Sequence, residues 1–289
     1  MKVLVTGVTG QLGYDVVRVL RGRGVETVGA TRAVMPLDDP EKARAFVEAT
    51  RPDAVIHCAA YTAVDRAEDE RELCHVINAE STRAIAGACE EIGAKLVYIS
   101  TDYVIPGAGE KFYETDDETS PCNVYGASKL AGESAVRDAM ASGRFFIVRN
   151  SWVFGVHGKN FIRTILGLAK TRDALTVVDD QVGSPTYTAD LAELLADMVE
   201  SEKFGVYHAT NEGVCSWYDL TCELFRLLGL TRAVTPCTTA EFPRPAPRPA
   251  NSALAKNVLH ALGFAMPDWR DALAAFVAEE FAARGRDRA

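Results

Sequence analysis

No stretch of this chain approaches the roughly 20 consecutive apolar residues that a membrane-crossing helix needs. Positive charge is in deficit: 31 Lys and Arg stand against 40 Asp and Glu, a formal net charge of −9. Long-range attraction to nucleic acid or to an anionic membrane is therefore not expected, and an anionic ligand would need basic groups placed locally. Cysteine lacks any pattern. The seven (Cys58, Cys74, Cys89, Cys122, Cys215, Cys222 and Cys237) are odd in number, with no C-x-x-C pair and no His-x-x-x-His partner. That argues against a zinc site and against a disulfide framework, and reduced, buried thiols in a cytoplasmic protein are the expectation. The opening MKVLVTGVTG is interrupted by glycine too soon for a signal peptide and reads as a buried strand feeding a turn. There is no internal repeat.

What is present is ordinary for a globular protein: 48% apolar and 25% charged residues, in 289 residues that can bury a substantial core. Short apolar runs at Val3–Thr6, Thr27–Ala30, Ala54–His57, Leu96–Ser100 and Phe145–Arg149 predict strands. Between them apolar residues recur at helical spacing, as in Leu12, Val16, Val19 and Leu20, then Ile77, Ile85 and Cys89. Strands apolar on both faces, each followed by a helix, predict a doubly wound parallel α/β sheet. After Trp152 the rhythm loosens: helices over Phe161–Lys170, Asp190–Glu200 and Trp217–Leu228, short strands near Leu175–Val178 and Gly205–Ala209, and a last helix from Trp269. Between the last two helices Phe242–Pro249 reads as an extended surface loop because of its prolines. The expected division is a dinucleotide-binding domain over 1–155, to which segments near 179–212 return. A smaller C-terminal substrate-binding domain then comprises 156–178 and 213–283, and 284–289 form a flexible tail.

The first strand runs into Gly7-Val-Thr-Gly10-Gln-Leu-Gly13 and then a helix, a G-x-x-G-x-x-G variant of the dinucleotide fingerprint. One glycine permits the tight turn, one lets backbone approach the pyrophosphate and one allows close helix–strand packing. The helix N-terminus offers free N–H groups and the positive end of its dipole to phosphate. An acid at the end of the second strand would favour NADH; here the strand ends Ala30-Thr31-Arg32, which tilts the expectation towards NADPH with Arg32 at the 2′-phosphate, NADH remaining open.

Tyr125-Gly-Ala-Ser-Lys129 opens a helix, so Tyr125 and Lys129 fall one turn apart on one face. Hydride reduction of a ketone leaves an alkoxide that needs a proton. A phenol supplies it well only if its pKa falls from about 10 towards neutrality, at about 1.4 kcal/mol per unit. A neighbouring ammonium and a positive nicotinamide ring are expected to provide that field. Ser100-Thr101-Asp102-Tyr103-Val104 ends the fourth strand, where ligands of such sheets gather, and Thr101 would polarise the substrate carbonyl.

With these segments in chain order, the sequence resembles the dTDP-4-dehydrorhamnose reductase family, a branch of the extended short-chain dehydrogenases with a Rossmann-type domain. The shared segments span nearly the whole chain: TGVTGQLG (6–13), AAYTAVDRAE (59–68), STDYV (100–104), YGASKLAGE (125–133), SWVFG (151–155), KNF (159–161), DDQVGSPT (179–186), YHATNEG (207–213) and RPANS (248–252). The resemblance implies reduction of the 4-keto group of dTDP-4-dehydro-β-L-rhamnose to dTDP-L-rhamnose. It also implies Thr101, Tyr125 and Lys129 as catalytic triad. Gly10, Gln11 and Leu12 would contact the cofactor pyrophosphate, Ala60, Tyr61 and Thr62 would line the nicotinamide side, and Asp102 and Trp152 would touch the sugar. Asn160, Gln181 and Arg248 are candidates for the nucleotide-sugar side, Arg248 because a guanidinium suits a pyrophosphate.

Two departures from the family pattern stand out. An Asp-Ile pair common near the adenine is replaced by Pro36-Leu37, so Leu37 becomes the adenine-side candidate. Magnesium bridges dimers of some members through acids; Asp15 and Asp190 lie where such acids fall, but lone helix carboxylates are usually solvated, and no metal is expected. Monomer and homodimer stay open. Rival functions on the same scaffold are a nucleotide-sugar epimerase or dehydratase, the latter disfavoured by Tyr103 where dehydratases tend to carry glutamate, and a non-catalytic NADP-binding regulatory subunit of the methionine adenosyltransferase kind.

Overall fold

The computed structural model describes residues 1–286. Strand β1 (Lys2–Thr6) leads into helix α1 (Gln11–Gly22), followed by β2 (Glu26–Ala30), α2 (Pro40–Thr50) and β3 (Ala54–His57). Two short helices, α3 (Val64–Ala67) and α4 (Arg71–His75), precede a single π-helical turn at Val76–Glu80, which runs on into α5 (Ser81–Ile92). Then come β4 (Lys95–Thr101), α6 (Val124–Ala139) and β5 (Phe145–Asn150). The five predicted strands lie within one residue of their expected limits. The helix expected through Ile77, Ile85 and Cys89 is present and continuous, and widens at Ile77 into the π turn, an insertion that apolar spacing does not reveal.

Further along are β6 (Val153–Phe154), α7 (Phe161–Ala169), β7 (Ala174–Val178), β8 (Val182–Gly183), β9 (Thr186–Tyr187), α8 (Thr188–Glu200) and β10 (Gly205–His208). The chain closes with β11 (Cys215–Ser216), α9 (Trp217–Leu228), β12 (Ala233–Cys237), β13 (Asn251–Ser252), α10 (Asn257–Ala261) and α11 (Trp269–Arg286). Of the expected tail over 284–289, residues 284–286 continue α11, and 287–289 lie outside the described residues.

Six strands form one parallel sheet in the order β10-β5-β4-β3-β1-β2. Alternate side chains feed two cores. Val3, Val5, Val97 and Phe146 pack under α1 and α8, while Leu4, Val55, Leu96 and Ile147 pack under α2, α5 and α6. The sheet is thus covered on both faces, which is why its strands read as unbroken apolar runs. A third core joins α7, α9 and α11 through Ile165, Leu224, Phe225, Trp269 and Phe276. Its small sheets, β11-β8-β13, β12-β7 and β6-β9, are mostly two residues long.

The proline-rich segment is irregular, yet it does more than lie on a surface. Ala246 is buried, Arg248 Nη2 pairs with Asp65 at 2.9 Å, and Asn123 Nδ2 donates to the Pro247 carbonyl at 2.9 Å. It straps the C-terminal part of the chain to the loops beyond β3 and β4. Among the described residues no helix is long and apolar enough to cross a membrane.

His57 at the end of β3 and His208 at the end of β10 are both buried. Burial, with Lys129 near one and Arg149 near the other, lowers His57 to about 3 and His208 to about 4. The unfolded chain takes up these protons near 6.5 while the folded chain does not, so their contribution is present above that value and is lost as pH falls. Thermal unfolding should show Tm declining steadily from about pH 6.5 to about pH 4. A flat Tm across that window would show that the two imidazoles titrate freely.

Candidate active site

The C-terminal ends of β1 to β5 open on a cleft of about 790 Å³, the position ligands take in doubly wound sheets. Its floor begins at the glycine turn after β1. Gly7 sits at φ +68°, and a methyl group there would come within 2.8 Å of the Ala59 backbone nitrogen. At Gly13 a methyl group would lie 2.3 Å from the Gly7 carbonyl oxygen, so α1 can approach the turn only without a side chain. Gly10 caps α1 with no side-chain hydrogen bond, which leaves the N–H groups of the first turn without an intrahelical acceptor. An uncapped helix end above a cradle that Cβ atoms would fill fits a dinucleotide pyrophosphate. Gly7, Gly10, Gln11 and Leu12 line the cleft; Gly13 lies behind it, in the packing role.

At the β2 side Thr31, Arg32 and Leu37 line the same cleft. Arg32 is 79% exposed and its guanidinium meets Asp38 at 2.9 Å. Leu37 is buried, and its carbonyl accepts from Ser81 Oγ at 2.6 Å.

After β3, the Ala60-Tyr61-Thr62 loop forms the next wall. Asn78, in the π turn, grips it from below: Tyr61 N donates to Asn78 Oδ1 at 2.8 Å and Asn78 Nδ2 returns a bond to the Tyr61 carbonyl at 3.1 Å. Asn78 Nδ2 also reaches Ser128 Oγ at 2.9 Å, and Ser128 Oγ donates to the Tyr125 carbonyl at 2.7 Å. The wall and the helix carrying Tyr125 are therefore joined by one polar chain.

Thr101 is the last residue of β4, and Tyr125 lies in the first turn of α6, both on the cleft with Lys129. Asn123 caps α6 by accepting from Gly126 N at 2.8 Å. A methyl group at Gly126 would lie 2.2 Å from the Tyr103 carbonyl, so the Tyr-Gly pair lets α6 start hard against the segment after β4. The Tyr125 ring meets Tyr103 edge-on, with centroids 5.5 Å apart. Lys129 is buried, its Nζ 4.0 Å from the centre of the Tyr98 ring. One turn on, Glu133 accepts from Arg149 Nε and Nη2 at 2.8 and 2.9 Å and from Ser100 Oγ at 2.6 Å, tying α6 to β4 and β5.

Burial adds an influence on the phenol that the sequence does not show. Burial raises Tyr125, against a side-chain hydrogen bond with Thr101 that lowers it. The same burial lowers Lys129 to about 7, opposed by Glu133. The protein's own groups therefore do not draw the phenol towards neutrality; they keep it protonated, the state a proton donor requires. Asp102 Oδ1 accepts from Thr101 Oγ1 at 3.0 Å, while its buried Oδ2 makes no hydrogen bond. Burial pushes this carboxyl up to about 6 against the Ser252 and Thr101 hydroxyls, which pull it down.

Trp152 also faces the cleft, whereas Asn160, Gln181 and Arg248 lie off its lining. Asn160 caps α7 and donates to Gln11 Oε1 at 2.9 Å. Gln181 bridges Thr239 and Trp217, and Arg248 is held by Asp65 and the Ala246 carbonyl. Lys159, absent from the expected set, lines the cleft beside Gly158 and has no ion-pair partner among the described residues. Asp15 is bound by Thr188 and Arg18, and Asp190 by Asn211. Among the described residues no group of three or more His, Cys, Asp or Glu could hold a metal.

The family described as RmlD substrate binding domain matches residues 1–281. The chain is 40% identical to the spore coat polysaccharide biosynthesis protein SpsK of Bacillus subtilis, covering 98% of this chain and 99% of that one. It is 42% identical to the dTDP-4-dehydrorhamnose reductase of Streptomyces griseus, over 93% of this chain and 91% of that one. A crystal structure of dTDP-4-dehydrorhamnose reductase from Bacillus anthracis in complex with NADP superposes with a TM-score of 0.93 at 40% identity, covering 96% and 99%. At 22% identity, the NAD complex of a Thermus thermophilus UDP-glucose 4-epimerase shares the fold, with a TM-score of 0.80.

Gly13→Ala should weaken dinucleotide binding by about tenfold or more, because the added methyl must displace α1 or the Gly7 turn. Titration of nicotinamide fluorescence measures it, and an unchanged Kd would remove the cradle from the site.

Proposed function

The chain belongs to the RmlD substrate binding domain family, that of the dTDP-4-dehydrorhamnose reductases, and we propose that it reduces the 4-keto group of dTDP-4-dehydro-β-L-rhamnose with NADPH to give dTDP-L-rhamnose. The observation that carries this reading is the shared cleft: the glycine cradle and uncapped helix end stand on the same cavity as Thr101, Tyr125 and Lys129. NADPH, when bound, supplies the hydride that reaches C4 of the sugar. The chain's own residues do the rest.

Thr101 and Tyr125 present hydroxyls to the carbonyl oxygen and stabilise the charge that grows there. Tyr125 then gives its proton to the sugar oxygen, which leaves a phenolate for solvent protons to replenish. Burial keeps that proton in place until the oxygen becomes basic enough to take it. Lys129, on the same helix face, is the cation that favours the phenolate once it forms. Asp102, beside Thr101 on the cleft, brings a carboxylate to the sugar side, and Trp152 an apolar face to the ring. Arg32, largely exposed at the adenosine end, can exchange Asp38 for a 2′-phosphate at small cost because the pair is solvated. Thiols without disulfide partners suit a reducing compartment, so we place the reaction in the cytoplasm.

Absorbance at 340 nm with dTDP-4-dehydrorhamnose should show NADPH oxidation; no turnover with that sugar nucleotide, or with other nucleotide-linked 4-keto hexoses, would end the proposal. Tyr125→Phe should keep NADPH affinity and lose roughly a hundredfold or more in kcat. Arg32→Ala should weaken NADPH binding more than NADH binding, and equal losses would make Arg32 a bystander.

A further inference from the structure

The backbone at Trp152 is unusual. Its φ is +50°, in the left-handed region that a bulky side chain rarely enters, and residues held this way gather at functional sites when their surroundings over-determine them. The surroundings here do so. Ser151 Oγ donates to the Ser184 carbonyl at 2.5 Å, and Thr186 Oγ1 donates to the Ser151 carbonyl at 2.6 Å. Thr186 N donates to the Trp152 carbonyl at 3.3 Å. The left-handed turn sends the indole away from the line of β5 and onto the cleft that holds Thr101, Asp102 and Tyr125.

The indole is then fixed by two neighbours. It stacks on Trp217 with ring centroids 3.6 Å apart and planes within 9° of parallel. It also presses on Gly183, where a methyl group would come within 2.7 Å of Trp152 Cε2. Trp217 is itself locked. It is the first residue of α9, whose Ser216 cap and Asp219 close a capping box, and Ser216 Oγ donates to Asp179 at 2.5 Å. Its Nε1 donates to Gln181 Oε1 at 3.2 Å, and Gln181 Nε2 donates to Thr239 Oγ1 at 2.9 Å. Phe161 packs against it at 4.5 Å.

We infer that Trp217, which does not line the cleft, is a positioning residue for the sugar nucleotide, holding the Trp152 indole as a rigid wall of the sugar pocket with Gln181 as its brace. The inference rests on the reading that Trp152 meets the sugar. Gln181 thereby acts through two tryptophans rather than on the ligand. Small displacements of such a wall matter because a substrate misplaced by about 1 Å can lose a hundredfold in rate.

Trp217→Leu should raise KM for dTDP-4-dehydrorhamnose about tenfold while Kd for NADPH stays within about twofold. Face-to-face stacking lowers the ultraviolet absorbance of the two indoles, so the hypochromism of the folded wild type should be lost in Trp217→Leu and in Trp152→Leu alike. Gly183→Ala keeps both indoles but pushes one out of place, and should raise KM with weakened hypochromism. Trp217→Phe, which restores a ring to stack on, should recover most of the KM. A purely structural tryptophan would lower Tm and leave KM alone, and that result would overturn the inference. Two failures are separable. If Trp152→Leu raises KM but Trp217→Leu and Gly183→Ala do not, the positioning role falls and the sugar contact stands. If Trp152→Leu leaves KM unchanged, the sugar contact itself falls, and the inference with it.

Discussion

One buried ion pair sets the frame of the cleft. Glu133 has no exposed surface and Arg149 is 2% exposed, yet they meet through two hydrogen bonds across the joint between α6 and β5. Burial alone would raise the Glu133 carboxyl; Arg149, Ser100 and Arg137 more than offset it and hold it below its usual range. A charge buried this deeply cannot slide, because leaving either partner unpaired costs about 3–5 kcal/mol. Ser100 precedes Thr101, and Glu133 lies one turn beyond Lys129, so the same contact sets the register of α6 over the end of β4. Thr101, Tyr125 and Lys129 inherit their relative positions from it.

A second constraint is imposed from the C-terminal part of the chain. The segment ending in Ser252 reaches the loops beyond β3 and β4 through Arg248 on Asp65, Pro247 under Asn123 and Pro249 against Gly107. Asn123 is also the cap of α6, so the helix that carries Tyr125 is fastened twice: by the strap at its first turn and by Glu133 in its middle. Rigid elements therefore present Thr101, Tyr125 and Lys129 to the cleft, and loops supply the walls around them.

The strands and the glycine turn are legible in the sequence because their signals are local. An apolar run of four or five residues is a strand whatever surrounds it here, and Gly7, Gly10 and Gly13 declare their turn by spacing alone. Tyr125 and Lys129 are legible for the same reason. The resemblance puts Arg248 and Gln181 on the ligand side; the structure pairs them with Asp65, Thr239 and Trp217, partners up to 183 residues away that no local pattern names. Asn78 escapes notice because its π turn leaves no mark on apolar spacing, and Lys159 because a lone exposed lysine resembles any solvated one, although it adjoins the Asn160 that was singled out. Two-residue strands such as β8 and β13 are too short to show alternation. A sequence names the ammonium near Tyr125 but gives no measure of burial, which raises the phenol in the chain on its own.

Asp102 draws these threads into a thermodynamic link. A carboxyl held near 6 is partly protonated in mildly acidic solution, and one of its oxygens has nothing to accept. A ligand that places a hydrogen-bond donor beside Asp102 in the cleft selects the ionised form and expels a proton into the solvent. Occupancy of the cleft and the acidity of the medium then become two readings of a single equilibrium, and proton release on binding can be titrated in differently ionising buffers without any turnover at all.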